Sequence, residues 1–254
     1  MEEYGVCTSR SVRTVSLVVT AVDDFTGRVI TGSNVRVWID GAKPPIKKQD
    51  GYHVFMNLPT GMHTVHAEGG FYNRCSFTCR VEEGTYTNIK LRMTPGRNAP
   101  LEAGTAVIEG SAPAGSRVRI RAAERQLAYK LLTDVKAGDN KAAIYHPDGA
   151  DIEGKLLCIC AQSGEETYIR VLRCTDTGRA EYQLDGPMPC DFQKIGTLVF
   201  PVSESMADSR GRFFVPLRSA PEKACAFVCM TDSASEEFTL SAGSRVRLAF
   251  EALE

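Results

Sequence analysis

The sequence predicts an all-β protein, and three observations carry that expectation. Apolar and polar residues alternate through most of the chain, as in 14–22, where Val15, Leu17, Val19 and Ala21 share one face. Turn residues interrupt the alternation about every 10 residues. No stretch carries a capped, sustained helical stripe. The 254 residues suffice for one large or two ordinary domains, and 43% hydrophobic with 24% charged residues is a globular composition. Thirty basic and 31 acidic residues leave a net charge of -1, so no overall field attracts nucleic acid or an anionic membrane. No apolar run approaches the roughly 20 residues that span a bilayer as a helix.

Residues 1–11 read as an arm. After the first strand, Asp24-Phe25-Thr26-Gly27 turns the chain, since Asp bonds its own turn backbone and Gly tolerates positive φ. Val35, Val37 and Ile39 form the inward set of the next strand, which turns Trp38 outward. Asp40-Gly41 turns again, and Lys43-Pro44-Pro45-Ile46-Lys47-Lys48 is read as a loop because paired prolines cannot sit in a ladder. Strands follow at 52–55, 64–67, 75–81 and 86–91, about seven by residue 93. Thr94-Pro95-Gly96-Arg97-Asn98-Ala99-Pro100 punctuates the chain, so 94–103 is expected to link a first domain, 12–93, to a second, 104–254. Within the latter, 106–108, 117–122, 142–145, 156–161, 167–172, 180–184, 197–200, 212–217, 224–230 and 245–250 read as strands. The segment 123–135 lacks a cap, and 127–132 is read as strand rather than helix.

Three motifs in order carry a family resemblance: Asp24-x-x-Gly27-x-x-Ile30-x-Gly32-x-x-Val35-x-Val37, then Asp50-Gly51-Tyr52-x-Val54-Phe55-x-x-Leu58-Pro59-x-Gly61, then His63-x-Val65-x-Ala67 with Gly70-Phe71-Tyr72. On these, residues 12–93 resemble the transthyretin-like, carboxypeptidase-regulatory-like modules. The resemblance implies a seven-stranded prealbumin-like (Ig-like) sandwich without catalytic residues of its own. Asp208-Ser209-Arg210-Gly211-Arg212-Phe213 looks like a hairpin of the same kind. A two-module β protein of this type is similar to components of phage tails and contractile tail-like particles.

Nine cysteines, an odd number, favour free thiols over a disulfide framework, and most lie in apolar runs where they pack as small hydrophobes. Met1–Cys7 has neither the basic nor the apolar region of a secretory signal, so cytoplasmic synthesis is expected. Cys75-x-x-x-Cys79 and Cys225-x-x-x-Cys229 would stand about 13 Å apart along a strand, and Cys158-x-Cys160 about 7 Å, so no metal site is expected. His63 and His66 point to opposite faces, whereas His53 could meet His63 across strands in a suitable register. Glu82-Glu83, Glu165-Glu166 and Glu236-Glu237 read as solvated tips, and nucleophile elbows, phosphate loops and zinc-protease motifs are absent from the sequence.

The binding candidates are surface groups. Arg117, Arg119 and Arg121 alternate along one strand and make a basic stripe. Trp38 with Phe71 and Tyr72 makes an aromatic patch. The expectation is a non-enzymatic structural or interaction protein. Its partners are other proteins of an assembly, with homo-oligomers possible, and it uses no cofactor, nucleic acid or membrane span. A carbohydrate-binding or adhesin-like module is the first alternative and a Cys/His hydrolase the second.

Overall fold

The computed structural model describes residues 13–32, 34–146, 151–217 and 220–250; the expected arm lies outside them. Seven strands come first: β1 (Val15–Asp23), β2 (Val35–Ile39), β3 (Ile46–Lys47), β4 (Tyr52–Met56), β5 (Gly61–Gly69), β6 (Tyr72–Val81) and β7 (Thr87–Met93). They form two sheets, β3-β4-β1-β7 and β2-β5-β6. β1 runs antiparallel to β4 and parallel to β7, while β5 pairs antiparallel with both neighbours. The alternation read from sequence decides what lies between the sheets. Leu17, Val19, Val37, Phe55, Val65, Phe77, Ile89 and Leu91 form one core. Burying each side chain of this size contributes on the order of 1.5–3 kcal/mol.

The rest of the chain supplies β8 (Ala106–Ser111), β9 (Arg117–Ala122), β10 (Tyr129–Leu131), β11 (Lys141–Tyr145), β12 (Leu156–Cys160), β13 (Glu166–Asp176), β14 (Glu181–Leu184), β15 (Leu198–Met206), β16 (Arg212–Leu217), β17 (Cys225–Met230), β18 (Ser235–Leu240) and β19 (Arg245–Ala249). Strands β10-β11-β14-β13-β12-β15 follow one another around a closed barrel, because β15 also pairs with β10. Leu131, Ile144, Leu157, Ile159, Val171, Phe192 and Val199 fill it. β15 serves two bodies. Its first half closes the barrel against β12, and Ser203–Met206 pairs with β9.

Outside the barrel, β16-β8-β19 and β9-β17-β18 enclose a third core with Ile108, Val118, Ile120, Phe213, Val215 and Phe227. These six strands repeat the first sandwich. β8 is antiparallel to β16 and parallel to β19, as β1 is to β4 and β7. β9-β17-β18 has the order and directions of β2-β5-β6. The barrel is inserted between the second and fourth strands of the repeat, where the first sandwich has only β3. A trace survives in sequence: Gly32-Ser33-Asn34-Val35-Arg36-Val37 leads into β2, and Gly115-Ser116-Arg117-Val118-Arg119-Ile120 into β9. Gly51 and Gly211 open the equivalent strands β4 and β16 at φ 89° and 71°. A Cβ there would lie 3.0 Å from the Ile30 carbonyl oxygen and 2.6 Å from that of Ala112, so both sites require glycine.

Some local expectations change. The residues expected to link the halves begin as a fixed strap: Gly96 N–H donates to Phe71 O (2.7 Å), and the Thr94 hydroxyl donates to Glu204 O (2.8 Å). In 123–135 a single 3-10 turn, Arg125–Leu127, precedes β10, because the chain must corner into the barrel. Glu236 and Glu237 lie on β18, opposite Cys229 and Val228, rather than on a turn; an edge strand with one wet face hides its alternation. Glu166 likewise begins β13.

His53 does not meet His63, because β4 and β5 belong to different sheets. It sits on β4 at 2% exposure, beside Val19 and Lys47. Burial, aided by the Lys47 charge, holds its pKa below the ordinary 6.5. The fold therefore favours the neutral ring. Its contribution to stability is complete above the unfolded-state pKa of about 6.5 and is lost as pH falls from there toward the folded-state value. Urea midpoints should decline from about pH 7 to about pH 5, and His53→Leu should flatten that limb. An equal decline in the variant would remove His53 as the cause.

Candidate functional site

Of the six residues singled out in the sequence, Trp38 and the three arginines fall on equivalent strands of the two repeats, whereas Phe71 and Tyr72 lie apart from them. Trp38 stands on β2 with its face turned away from the core, half-buried, and opposite His66 on β5. The imidazole stacks on the indole with centroids 5.3 Å apart. The Arg36 and Arg74 guanidiniums lie over the same ring at 5.0 and 5.2 Å. Trp38 Nε1–H donates to Asp40 Oδ1 (3.1 Å), and Asp40 Oδ2 lies 3.3 Å from His66 Nε2. The indole is therefore fixed in a cation-rich cage, an arrangement worth of order 1 kcal/mol per cation at a partly exposed site. Phe71 is exposed at the β5–β6 turn. Tyr72 does not join the patch: its hydroxyl donates to Asp23 Oδ2 (2.9 Å), tying β6 to the end of β1. Burial, then the Asp23 contact, raises the pKa of that phenol.

The arginine stripe lies on β9, which occupies the place of β2 in the second repeat. Arg36 corresponds to Arg119 and Trp38 to Arg121. The side chains do share a face, and acids neutralise it. Arg119 Nε donates to Glu204 Oε2 (3.1 Å), which Arg117 Nε also approaches at 3.6 Å. Arg170 donates to the other oxygen of Glu204 at 3.3 Å. Arg121 is paired with Glu166, and the Arg119 guanidinium lies 4.5 Å from the Tyr168 ring centroid. An open depression of about 420 Å³ lies beside them, lined by Arg117, Arg119, Glu166, Tyr168, Met230 and Asp232. The stripe is thus used within the chain. Sequence reading missed Glu204 and Glu166, although the alternation in Ser203-Glu204-Ser205 could have marked the first of them.

A second group converges there. Cys158 and Cys160 point to one side of β12 with their sulfurs 3.5 Å apart, far closer than the strand spacing suggests. The turn after β12 brings Glu166 opposite Cys160, and each Glu166 oxygen lies 3.7 Å from one sulfur. The Cys160 hydrogen bond holds the Cys158 thiol below its ordinary pKa, and the same bond with burial pushes Cys160 up. This corrects the expectation that no ligand group assembles from the cysteines: backbone spacing limits Cα atoms, whereas side chains on one face lean together. Among the described residues, Cys158, Cys160 and Glu166 form a group that could hold a metal ion.

The histidines are engaged elsewhere. His63 bonds to Pro59 O (2.7 Å), and His146 lies 2.9 Å from the Tyr182 hydroxyl. Cys79 is opposite His63 across the β5–β6 ladder, but burial pushes its thiol up to about 11, the reverse of an activated nucleophile.

No family model and no curated protein matches the chain. Among solved structures, the TIE protein of Bacillus anthracis aligns over 93% of this chain at 10% identity and a TM-score of 0.27; the chain spans half of that protein's length. The shaft pilin SpaA of Lactobacillus rhamnosus GG aligns over 95% of this chain and all of its own, at 10% identity and a TM-score of 0.22. The major pilin subunit BcpA of Bacillus cereus, in a point-substituted form, aligns over 92% of this chain and 69% of its own, at 9% identity and a TM-score of 0.24. Scores of this size do not establish a common topology. Among the described residues no helix is long and apolar enough to cross a membrane.

Proposed function

We propose that this chain is a non-catalytic structural subunit of a larger protein assembly and that it docks a neighbouring subunit along β2. One observation carries the reading. In the second repeat the outer edge of β9 is filled by β15, whereas in the first repeat β2 is the last strand of its sheet among the described residues. An open edge offers a row of backbone donors and acceptors to an incoming strand. Lys47 Nζ bonds the Gly32 and Val35 carbonyls and so covers only the start of that edge. Beside it lies Trp38, caged by Arg36 and Arg74, an aromatic–cationic surface of the composition enriched in interface cores.

The neighbour is an extended segment of a second copy of this chain. A phage tail or contractile tail-like particle is the setting that the transthyretin-like resemblance suggests. A carbohydrate shelf is disfavoured because His66, Arg36 and Arg74 already lie over the Trp38 ring. A hydrolase is disfavoured by the raised thiol of Cys79, the cysteine facing a histidine across the ladder. Light scattering at rising concentration should show self-association, with the amides of 36–39 gaining protection from hydrogen exchange. Trp38→Ala should weaken association about 10-fold or more. A monomer at every concentration, or association that leaves those amides unprotected, would overturn the β2 docking.

A further inference from the structure

The chemistry on the outer wall of the barrel, facing the second sandwich, goes beyond assembly. We propose that Cys158, Cys160 and Glu166 bind a thiophilic divalent cation of the zinc class. The three donors come from a single hairpin and face one point. Their separations are 3.5 Å between sulfurs and 3.7 Å from each sulfur to a Glu166 oxygen. A tetrahedral ion with Zn–S near 2.3 Å and Zn–O near 2.0 Å needs ligand edges of about 3.8 Å for S–S and about 3.5 Å for S–O. The two Glu166 distances are to different oxygens, Oε2 beside Cys158 and Oε1 beside Cys160. One carboxylate oxygen and the two sulfurs all lie within 4.8 Å of one another, so a rotation of the Glu166 carboxylate toward the sulfurs completes three corners of the coordination sphere.

The surroundings suit the ion. Arg121 holds Glu166 Oε1, and the Tyr168 hydroxyl donates at 3.3 Å to Oε2, so the carboxylate is oriented before metal arrives. The Tyr168 hydroxyl is also 3.0 Å from Met230 Sδ, which places a soft sulfur on the rim. Two thiolates and a carboxylate balance one dication together with the Arg121 guanidinium, leaving the site neutral. Cys158 is fully buried, Cys160 is half-buried, and Glu166 lines the depression. The ion thus enters from the Glu166 side and retains a fourth position open to solvent. Binding releases both thiol protons to solvent, so affinity rises with pH; no bond is oxidised or reduced.

The remaining reading of paired thiols at this distance is a redox couple closing to a Cys158–Cys160 disulfide. Cobalt(II) titration of the reduced full-length chain separates the two. One equivalent should bind with a sulfur-to-cobalt charge-transfer band, and zinc should displace it. Loss of an orienting neighbour costs a metal site about 10–100-fold, so loss of a ligand should cost at least roughly 100-fold. Cys160→Ser, at a partly exposed position, should show that loss and a weaker band. Glu166→Gln should lose affinity yet keep the band, and Cys79→Ser, in the other sandwich, should change neither. Failure of the reduced chain to bind cobalt or zinc, whether or not mild oxidant forms the disulfide, would overturn the proposal. So would wild-type affinity in the Cys160→Ser variant.

Discussion

Gly110→Ala is expected to destabilise the chain by roughly 3 kcal/mol or more, at or beyond the upper end of the overpacking range. Gly110 is on β8, the central strand of β16-β8-β19, opposite Phe213 on one side and Leu248 on the other. A Cβ at this position would lie 1.9 Å from the Leu248 carbonyl oxygen and 2.9 Å from Phe213 Cζ. The first of these is backbone, so no rotamer change relieves it. β19 would have to move off β8. The neighbouring residue shows what that movement costs. Glu109 is 4% exposed, with Arg247 Nε at 3.2 Å and Arg245 at 3.4 Å, both from β19, and Arg97 at 3.2 Å. Displacing β19 would leave a buried carboxylate with one cation instead of three, a large penalty where solvent is excluded. The urea midpoint of Gly110→Ala should fall steeply while Ser111→Ala, at an exposed neighbour, stays near wild type. A wild-type midpoint for Gly110→Ala would show that the β8–β19 seam is looser than described.

How far the sequence reveals this arrangement depends on the range of the interaction. Strand identity is local. Val35, Val37 and Ile39 announce their burial by alternation, and the same alternation turns Trp38 to the outer face where it is found. Barrel closure is not local. It depends on Tyr129 meeting Val199 across the whole inserted segment, and neither β10 nor β15 carries a mark of its partner. The repeat is hidden for a related reason: it survives as strand order and direction, while the sequence trace shrinks to a glycine, a serine, a valine and an arginine before β2 and β9. Polar strands are hidden too, since β18 buries only its last residue, Leu240, and reads as a turn. At the thiol group the local rule itself misled. Strand rise sets the Cα spacing of Cys158 and Cys160, and a turn closing at Gly164 adds Glu166 to their face. A Cys-x-Cys pair followed by a short glycine turn and a carboxylate is a readable signal once hairpin register is considered.

Register and packing also join the first sandwich to the barrel, and there Arg92→Leu is expected to cost about 3 kcal/mol. The Arg92 side chain, 4% exposed, leaves β7 and crosses to the barrel. Its Nε–H donates to Glu153 O (2.6 Å), and one terminal N–H donates to Asp151 O (2.5 Å). The other terminal nitrogen lies 3.5 Å from Asp24 Oδ1. Leucine fills similar volume but supplies no donor, so two carbonyls and a half-buried carboxylate lose their partner together. The neighbouring Lys90 bridges to Asp151 (2.7 Å) and Glu153 (2.6 Å) from a more exposed position, so Lys90→Met should cost much less. The single tryptophan, Trp38, lies in the first sandwich, so its fluorescence reports that body alone while far-UV circular dichroism reports all strands. In the wild type the two signals should lose structure at one urea concentration, because the seam couples the bodies. In Arg92→Leu the fluorescence transition should move to lower urea and separate from the dichroism transition. If the two signals stay coincident and the midpoint is unmoved, the strap at Thr94 and the Asn73 side-chain N–H donated to Phe214 O (2.8 Å) must hold the bodies together without Arg92.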